Sequence, residues 1–287
     1  MMTAVTRREE TLRAHVHGMW SSVALHWAEN ADLVDRRGAQ VTAELLARSD
    51  PRPGNDVLEL ACGPGGAGLA AAERVGPDGH VVLSDVVPAM TTIAAARAAE
   101  RGLSNVSTAT IDFESIDAPD ASYDIVLCRE GLMFAVEPDR ALAEIHRVLR
   151  PGGRFAAAVW GPREDNPWLG LVFDAVGVQT GSPMPPPGIP GPFALSDPAR
   201  LHTLLTAAGF RALRIDALPT PLHAPSFESW WGRATNLAGP LAVILSRLPD
   251  TTQEAITDQL RVAVAPYATP TGLELPGLAL VTSAVRP

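Results

Sequence analysis

The chain contains no lysine; all 23 of its basic residues are arginine. That absence excludes a P-loop, which needs a lysine on its phosphates, Schiff-base catalysis, which needs an amine, and the Tyr-x-x-x-Lys pair of short-chain dehydrogenases. Cysteine is almost as scarce. Cys62 and Cys128 have neither the number nor the spacing of a disulfide framework or zinc site, and read as reduced packing residues. Long apolar runs are missing too: Leu237 to Leu245 is too short to span a bilayer and contains Pro240, and the first ten residues lack the apolar centre of a signal peptide. The expectation is a cytoplasmic protein without stable membrane insertion. Positive charge is in deficit, 23 basic against 32 acidic residues for a net charge of −9, which argues against a nucleic-acid partner and for a small-molecule one. What the chain has is apolar bulk, 46% over 287 residues, enough for one large core and a cap.

The most informative stretch is Asp56-Val-Leu-Glu-Leu-Ala-Cys-Gly-Pro-Gly-Gly-Ala-Gly68, an aliphatic run with an acid inside it followed by a glycine turn. Glycine permits a tight turn and a close approach of ligand to backbone amides at a helix start. Gly63, Gly65 and Gly68 satisfy the dinucleotide pattern G-x-G-x-x-G. Glu59, four residues before Gly63, points elsewhere: a carboxylate at the strand end suits a ligand carrying a cation, such as the α-ammonium and sulfonium of S-adenosylmethionine.

Strand-like runs at 56–61, 80–85, 105–111, 123–128 and 154–160 alternate with helical segments. Pro88 to Arg101 and 138–149 carry apolar stripes at helical spacing, the second comprising Ala141, Leu142, Ile145, Val148 and Leu149. This alternation predicts a parallel sheet with right-handed crossovers. A helical region at 9–48 precedes it. After it come a proline-rich stretch at 161–192, a helix at 197–208, a strand at 210–217, a mostly helical segment at 226–266 and a last strand at 273–285. The six prolines between Pro183 and Pro192 predict a semi-rigid lid or rim.

Ligands of open α/β sheets bind outside the carboxyl ends of the strands, so successive strand ends should supply successive contacts. Glu59, Asp85 and Asp112 recur there at spacings of 26 and 27 residues. Asp85 suits the two hydroxyls of a ribose, because an ionised carboxylate only accepts hydrogen bonds. Asp112 suits an adenine amine for the same reason.

On Val57-Leu-Glu-Leu-Ala-Cys-Gly-Pro-Gly-Gly66, Ser84-Asp-Val-Val-Pro-Ala-Met90, Ile111-Asp-Phe113, Tyr123-Asp-Ile-Val-Leu-Cys-Arg129 and Glu144-Ile-His-Arg-Val-Leu-Arg-Pro-Gly-Gly153, the chain resembles class I S-adenosylmethionine-dependent methyltransferases of the ubiquinone/menaquinone-biosynthesis C-methyltransferase-like group. The resemblance implies an α/β, Rossmann-like class I methyltransferase fold: a mostly parallel seven-stranded sheet with an antiparallel last strand and a helical cap. It implies an N-terminal helical cap at 1–50, a cofactor-binding core at 51–160, and the rest of the sheet at 161–287 with cap insertions near 161–195 and 226–266. S-adenosyl-L-methionine is the implied cofactor and S-adenosyl-L-homocysteine its product. The implied contacts are Gly63 and Gly65 beside the methionine part with Glu59 and Ala61 in the same loop, Asp85 on the ribose, Val86 and Met90 against adenine, Asp112 and Phe113 at the adenine edge, and Arg129 at the carboxylate or transfer site. Ala61 departs from the family, standing where its first glycine usually lies, and Glu59 replaces its commoner aspartate.

Methyl transfer to a sulfonium carbon's acceptor is mostly a matter of positioning, and a base helps when the acceptor enters protonated. His17 and Glu130 are the candidate bases, with His15 and His26 also nearby in sequence. Trp20, Trp27, Trp160 and Trp168 are read either as core or as a substrate wall. Asn166 shares the second pair's loop, and only one of Trp230 and Trp231 can face a pocket. No metal is expected. The expected activity is methyl transfer to a small, largely apolar acceptor, aromatic or quinone- or polyketide-like, by a monomer or homodimer. Two alternatives stand beside it: a non-catalytic protein binding the cofactor or a lipophilic ligand, and an NAD(P)-dependent oxidoreductase.

Overall fold

Strands covered by helices on both faces have no solvent side to alternate toward, so their sequences run continuously apolar. Val57-Leu58, Ile125 to Cys128 and Phe155 to Val159 follow that rule, and all are buried. The computed structural model describes residues 4–187 and 189–287. Residues 1–3 of the expected cap and Gly188 of the proline-rich stretch lie outside the described residues.

The strands are β1 (Asp56–Glu59), β2 (His80–Asp85), β3 (Val106–Thr110), β4 (Tyr123–Arg129), β5 (Leu149–Trp160), β6 (Arg211–Pro219), β7 (Leu222–Ala224), β8 (Ala268–Thr269), β9 (Gly272–Leu275) and β10 (Leu278–Val285). Seven form one sheet in the order β3-β2-β1-β4-β5-β10-β6, with β10 antiparallel to both its neighbours. The mostly parallel sheet with an antiparallel last strand is therefore present. From β1 the chain steps outward to β2 and β3, then returns to place β4 on the other side of β1. The loops after β1 and β4 diverge at that reversal and open a crevice.

The helices are α1 (Ala4–Ser21), α2 (Ala24–Glu29), α3 (Ala31–Ser49), α4 (Gly66–Val75), α5 (Pro88–Glu100), α6 (Pro138–Val148), α7 (Pro167–Thr180), α8 (Pro198–Ala207), α9 (Phe227–Leu237), α10 (Gly239–Leu245) and α11 (Asp250–Ala263). Proline opens α5, α6, α7 and α8. Its fixed φ and missing N–H suit a first helical turn, so each of these helices has a sharply set start.

Three sequence expectations need correction. The strand expected over 273–285 is two strands, because Pro276 cannot donate to a ladder and the chain turns there; β9 pairs with β7 and β8 in a separate three-stranded sheet. Leu149 belongs to β5 rather than to the end of the α6 stripe. Within 161–192 the chain forms α7, whose Trp168, Leu169, Val172, Phe173 and Val176 are buried, between a short loop with a 3-10 turn at 161–166 and an irregular part after Thr180. In the N-terminal helices, α3 packs on β4, β5 and β10, whereas α1 meets α10 and α2 meets α9.

Candidate active site

The loop after β1 is held from beneath. Glu59 is 1% exposed, and its Oε2 accepts a 2.8 Å hydrogen bond from the Gly68 amide in the first turn of α4. Burial pushes its carboxyl up to about 7 against the opposing pull of Arg129 and the Gly68 amide. Glu59 does not line the cavity, and its bond to Gly68 braces β1 against α4. Gly65 also lies behind the wall: at φ +88 it caps α4, and a Cβ there would stand 3.0 Å from Leu83 and 3.2 Å from Ala94. Ala61, Cys62 and Gly63 are the residues of this loop that line the cavity. Ala61 adopts φ +51, a left-handed conformation that disfavours a side chain by roughly 1–2 kcal/mol. That cost is the physical reason a glycine is expected there. Its methyl fits only because its neighbour across the loop is Gly131, where a Cβ would come within 2.4 Å of it.

The next strand ends face the same cavity. Asp85, 8% exposed, accepts from the Gly63 amide at 2.9 Å on one oxygen and from the Val87 amide at 2.9 Å on the other. Each oxygen keeps a lone pair for a ligand. Burial raises its carboxyl, while the amides of Val87, Gly63 and Val86 and the charge of His17 lower it. Val86 and Met90 line the wall beside it, and Asp112, which accepts from the Glu114 amide at 2.8 Å, lies with Phe113 beyond β3. Trp20 and Trp27, expected on a substrate wall, pack against the Ala24, Val87 and Met90 cluster with Val86, and Trp27 faces Gly63. Both line the cavity at the end that holds Asp85.

Several polar residues here escaped the sequence reading. Glu114 is buried, accepting from the amides of Val136 (2.6 Å) and Glu137 (3.1 Å) on one oxygen and from Arg13 (2.8 Å) on the other, which ties α1 to the sheet. Asp35 receives Arg97 at 2.7 Å and Arg129 at 3.4 Å, and Arg97 also donates to the Pro64 carbonyl at 2.8 Å. Arg129 lines the cavity but spends its guanidinium on Asp35 and on Thr42 at 2.8 Å. It lies against the α3 backbone because Gly38 carries no Cβ, which would stand 2.8 Å from its Nη1. No periodicity marks Asp35 or Glu114, whose partners are more than 60 residues away in sequence for Asp35 and more than 20 for Glu114.

Across the reversal between β1 and β4 the wall becomes aromatic. Trp160 and Trp168 stand edge to face at 5.0 Å, and the Arg37 guanidinium from α3 lies 3.9 Å from the Trp168 ring centre and 5.3 Å from that of Trp160. Trp230, not Trp231, lines this chamber and donates its indole N–H to the Trp168 carbonyl at 3.1 Å. Glu130 faces it from the end of β4, in a left-handed conformation (φ +59), with its backbone N–H donating a hydrogen bond to the Ala158 carbonyl at 2.8 Å. Its carboxyl is raised by burial, partly offset by Arg129 and Arg37. His17 lines the opposite end, and His15 and His26 do not reach the wall. Asn166 is fully buried away from it, donating to the Pro162 and Leu278 carbonyls and accepting from Leu278 and Trp168, so it fixes the loop after β5. Burial pushes the Cys128 thiol up to about 12, consistent with a packing role.

The whole cavity measures about 490 Å³, within the range of small-molecule sites. It runs past the ends of β3, β2, β1, β4 and β5, four strand spacings or about 19 Å. One half thus offers acceptor-only carboxylates and a glycine turn, and the other an aromatic chamber. The acceptor set of the first half fits a nucleoside with a hydroxyl pair and an exocyclic amine.

Residues 57–153 match a family described as a methyltransferase domain. The chain is 33% identical over 215 residues to nocamycin O-methyltransferase of Saccharothrix syringae, covering 70% of this chain and 77% of that one. It is 34% identical over 176 residues to the ubiquinone/menaquinone biosynthesis C-methyltransferase UbiE of Ralstonia pickettii (strain 12J), covering 56% and 72%. Among solved structures it resembles the YcgJ protein of Bacillus subtilis with a TM-score of 0.62 at 19% identity, covering 86% and 98%, a likeness of fold.

Proposed function

Given that this chain belongs to the class I S-adenosylmethionine-dependent methyltransferases, in their UbiE-like group, we propose that it methylates a small, largely apolar acceptor of aromatic, quinone-like or polyketide-like character. The observation that carries this reading is the joining of two unlike halves in one cavity: Asp85 and Asp112 at one end, the Trp160 and Trp168 chamber at the other. Bound S-adenosylmethionine would supply an electrophilic methyl carbon on its sulfonium. Asp85 would hold the ribose hydroxyls with its two spare lone pairs, Val86 and Met90 would flank the adenine, and Asp112 with Phe113 would meet its edge. The backbone of Ala61 to Gly63 would lie beside the methionine part, and Arg129 near its carboxylate end. Glu59 and Gly65 would act from behind, by holding that loop in shape.

The chain's own contribution to rate is then positioning, exclusion of water and proton acceptance. Orienting two reactants can contribute on the order of 7 kcal/mol or more. Trp160, Trp168 and Trp230 would set the acceptor's plane and keep the junction dry. Glu130 is the better placed base, since its raised carboxyl stands at the chamber; it would take the acceptor's proton as the new bond to carbon forms. His17 lies within electrostatic reach of Asp85, at the cofactor end. The acidic balance of the chain supports a small molecule over nucleic acid, and no helix among the described residues is long and apolar enough to cross a membrane. We place the activity in the cytoplasm, in a monomer or homodimer.

Titration calorimetry with S-adenosylhomocysteine tests the reading, with NADH as the competing ligand. Binding of the former alone is expected. In the Asp85→Asn variant one of the two amides loses its acceptor oxygen, so affinity should fall by roughly tenfold or more. Labelled-methyl transfer to a panel of phenols, enols and carboxylic acids then identifies the acceptor, and transfer to RNA instead would refute the proposal.

A further inference from the structure

Arg37 is a charged side chain that stacks on two tryptophans but has no ion-pair partner among the described residues. Its Nε and Nη2 are sealed from solvent and make no hydrogen bond among the described residues. Among the described residues no carboxylate comes within ion-pair distance of it; Glu130 is near enough to be felt electrostatically but does not bond. Burial lowers its pKa to about 10, and the charge of Arg233 acts in the same direction, so the guanidinium remains ionised near neutrality. An unpaired buried charge is costly, and each N–H without an acceptor adds to that cost. Stacking on Trp168 and Trp160 offsets part of it but leaves the N–H edge unsatisfied, because a ring face accepts charge and not an in-plane hydrogen bond.

The surroundings define what could complete it. Arg233, from α9, lines the same chamber and likewise has no ion-pair partner among the described residues. Two guanidiniums thus face one carboxylate, Glu130, giving the chamber a local positive excess inside a chain that is acidic overall. The other arginines on the wall differ: Arg129 is engaged by Asp35 and Thr42, Arg13 by Glu114 and Glu137, and Arg36 is exposed, so that water solvates its charge. Phe173, Trp230 and Leu241 make the remainder of the chamber apolar. A planar fork in a fixed orientation, next to flat aromatic walls, matches an oxygen anion conjugated to a flat body.

We propose that Arg37, supported by Arg233, docks an ionised oxygen of the acceptor, so that the substrate is the anion of an aromatic or enolic acid. This deepens the methyltransferase reading and rests on it for the identity of the site's other half. Arg37 is then a specificity-determining residue that selects the ionised form of the acceptor and turns its oxygen-bearing edge toward the end of β4.

The test uses 2-naphthoate and its neutral counterpart 2-naphthamide as probes, titrated calorimetrically and by tryptophan fluorescence into the full chain, with and without saturating S-adenosylhomocysteine. Naphthoate should bind about tenfold or more tightly than naphthamide. Arg37→Gln should remove that preference while leaving naphthamide affinity within about threefold, and Arg37→Lys should retain part of it. Equal affinity of the two probes for the unaltered protein overturns the proposal, as does absence of naphthoate binding at millimolar concentration. A preference that survives in Arg37→Gln also overturns it, and marks Arg37 as a packing residue stacked on tryptophan. Should Arg37→Gln fail to fold by circular dichroism, the unaltered protein and Arg37→Lys decide the matter. Failure of the methyltransferase reading is seen separately, as no binding of S-adenosylhomocysteine, while the naphthoate preference is read in the protein without it.

Discussion

Replacing Glu59 with glutamine should stabilise the protein at alkaline pH and leave it nearly unchanged at acid pH. Glu59 is buried beneath the β1 loop with one direct hydrogen bond to its carboxylate, from the Gly68 amide, and its folded pKa is about 7 against 4.5 for an exposed glutamate. Below pH 4.5 the group is protonated in both states and contributes no pH dependence. Between about 4.5 and 7 the folded state binds a proton that the unfolded state has lost, so stability falls as pH rises, and it levels off above the folded pKa. A shift of this size corresponds to roughly 3 kcal/mol between the two plateaus. Protonated Glu59 and glutamine both keep an acceptor oxygen for Gly68, but glutamine never ionises. Thermal melts of the two proteins across pH 4 to 9 should therefore diverge, with glutamine ahead at high pH by roughly 6–10 °C for a domain of this size. The difference between the two curves is the relevant quantity, since every other titrating group is common to both. Parallel curves, or a glutamine variant losing ground as pH rises, would refute the assignment of Glu59 as a buried carboxylate whose ionisation the fold opposes.

Gly131→Ala should destabilise by about 1–3 kcal/mol, because the new methyl meets Ala61 at 2.4 Å; adding Ala61→Gly should recover most of the loss, and simple additivity in chemical denaturation would contradict the packing argument. With an acceptor that enters protonated, turnover should rise with pH through the raised pKa of Glu130, because the ionised form is the base; in Glu130→Gln that rise should disappear and the rate fall by roughly 10²-fold. An unaltered pH–rate profile in that variant would move the base to His17 or to solvent.

Two non-glycine residues in left-handed conformations, Ala61 and Glu130, stand on either side of the junction between the cavity's halves. Strain of this kind persists only where the surrounding structure over-determines it. Here the Gly131 contact and the hydrogen bond from the Glu130 N–H to the Ala158 carbonyl supply that constraint, and together they fix where the Glu130 side chain projects.

The sequence by itself determined the repeating strands and helices, because hydrophobic period, prolines at helix starts and the glycine turn are local properties of short segments. It also placed Asp85 and Asp112 correctly on one cavity, since in an open parallel sheet every strand ends on the same side. Which way a side chain turns at such an end is not local. Glu59 and Gly65 belong to the same motif as Gly63, yet packing of α4 against β1 and β2 puts them behind the wall, and Trp20 from α1 and Trp27 from α2 pack on Val87 and Met90 at the start of α5. Arg37, Asp35 and Glu114 carried no pattern at all: each is one polar residue whose role depends on partners brought close only by the fold. The break at Pro276 was visible as a proline, but only the pairing of β9 with β7 made it a change of sheet. Tertiary structure decided orientation and partnership, because the free energy of a buried charge depends on what surrounds it in space and not on its neighbours along the chain.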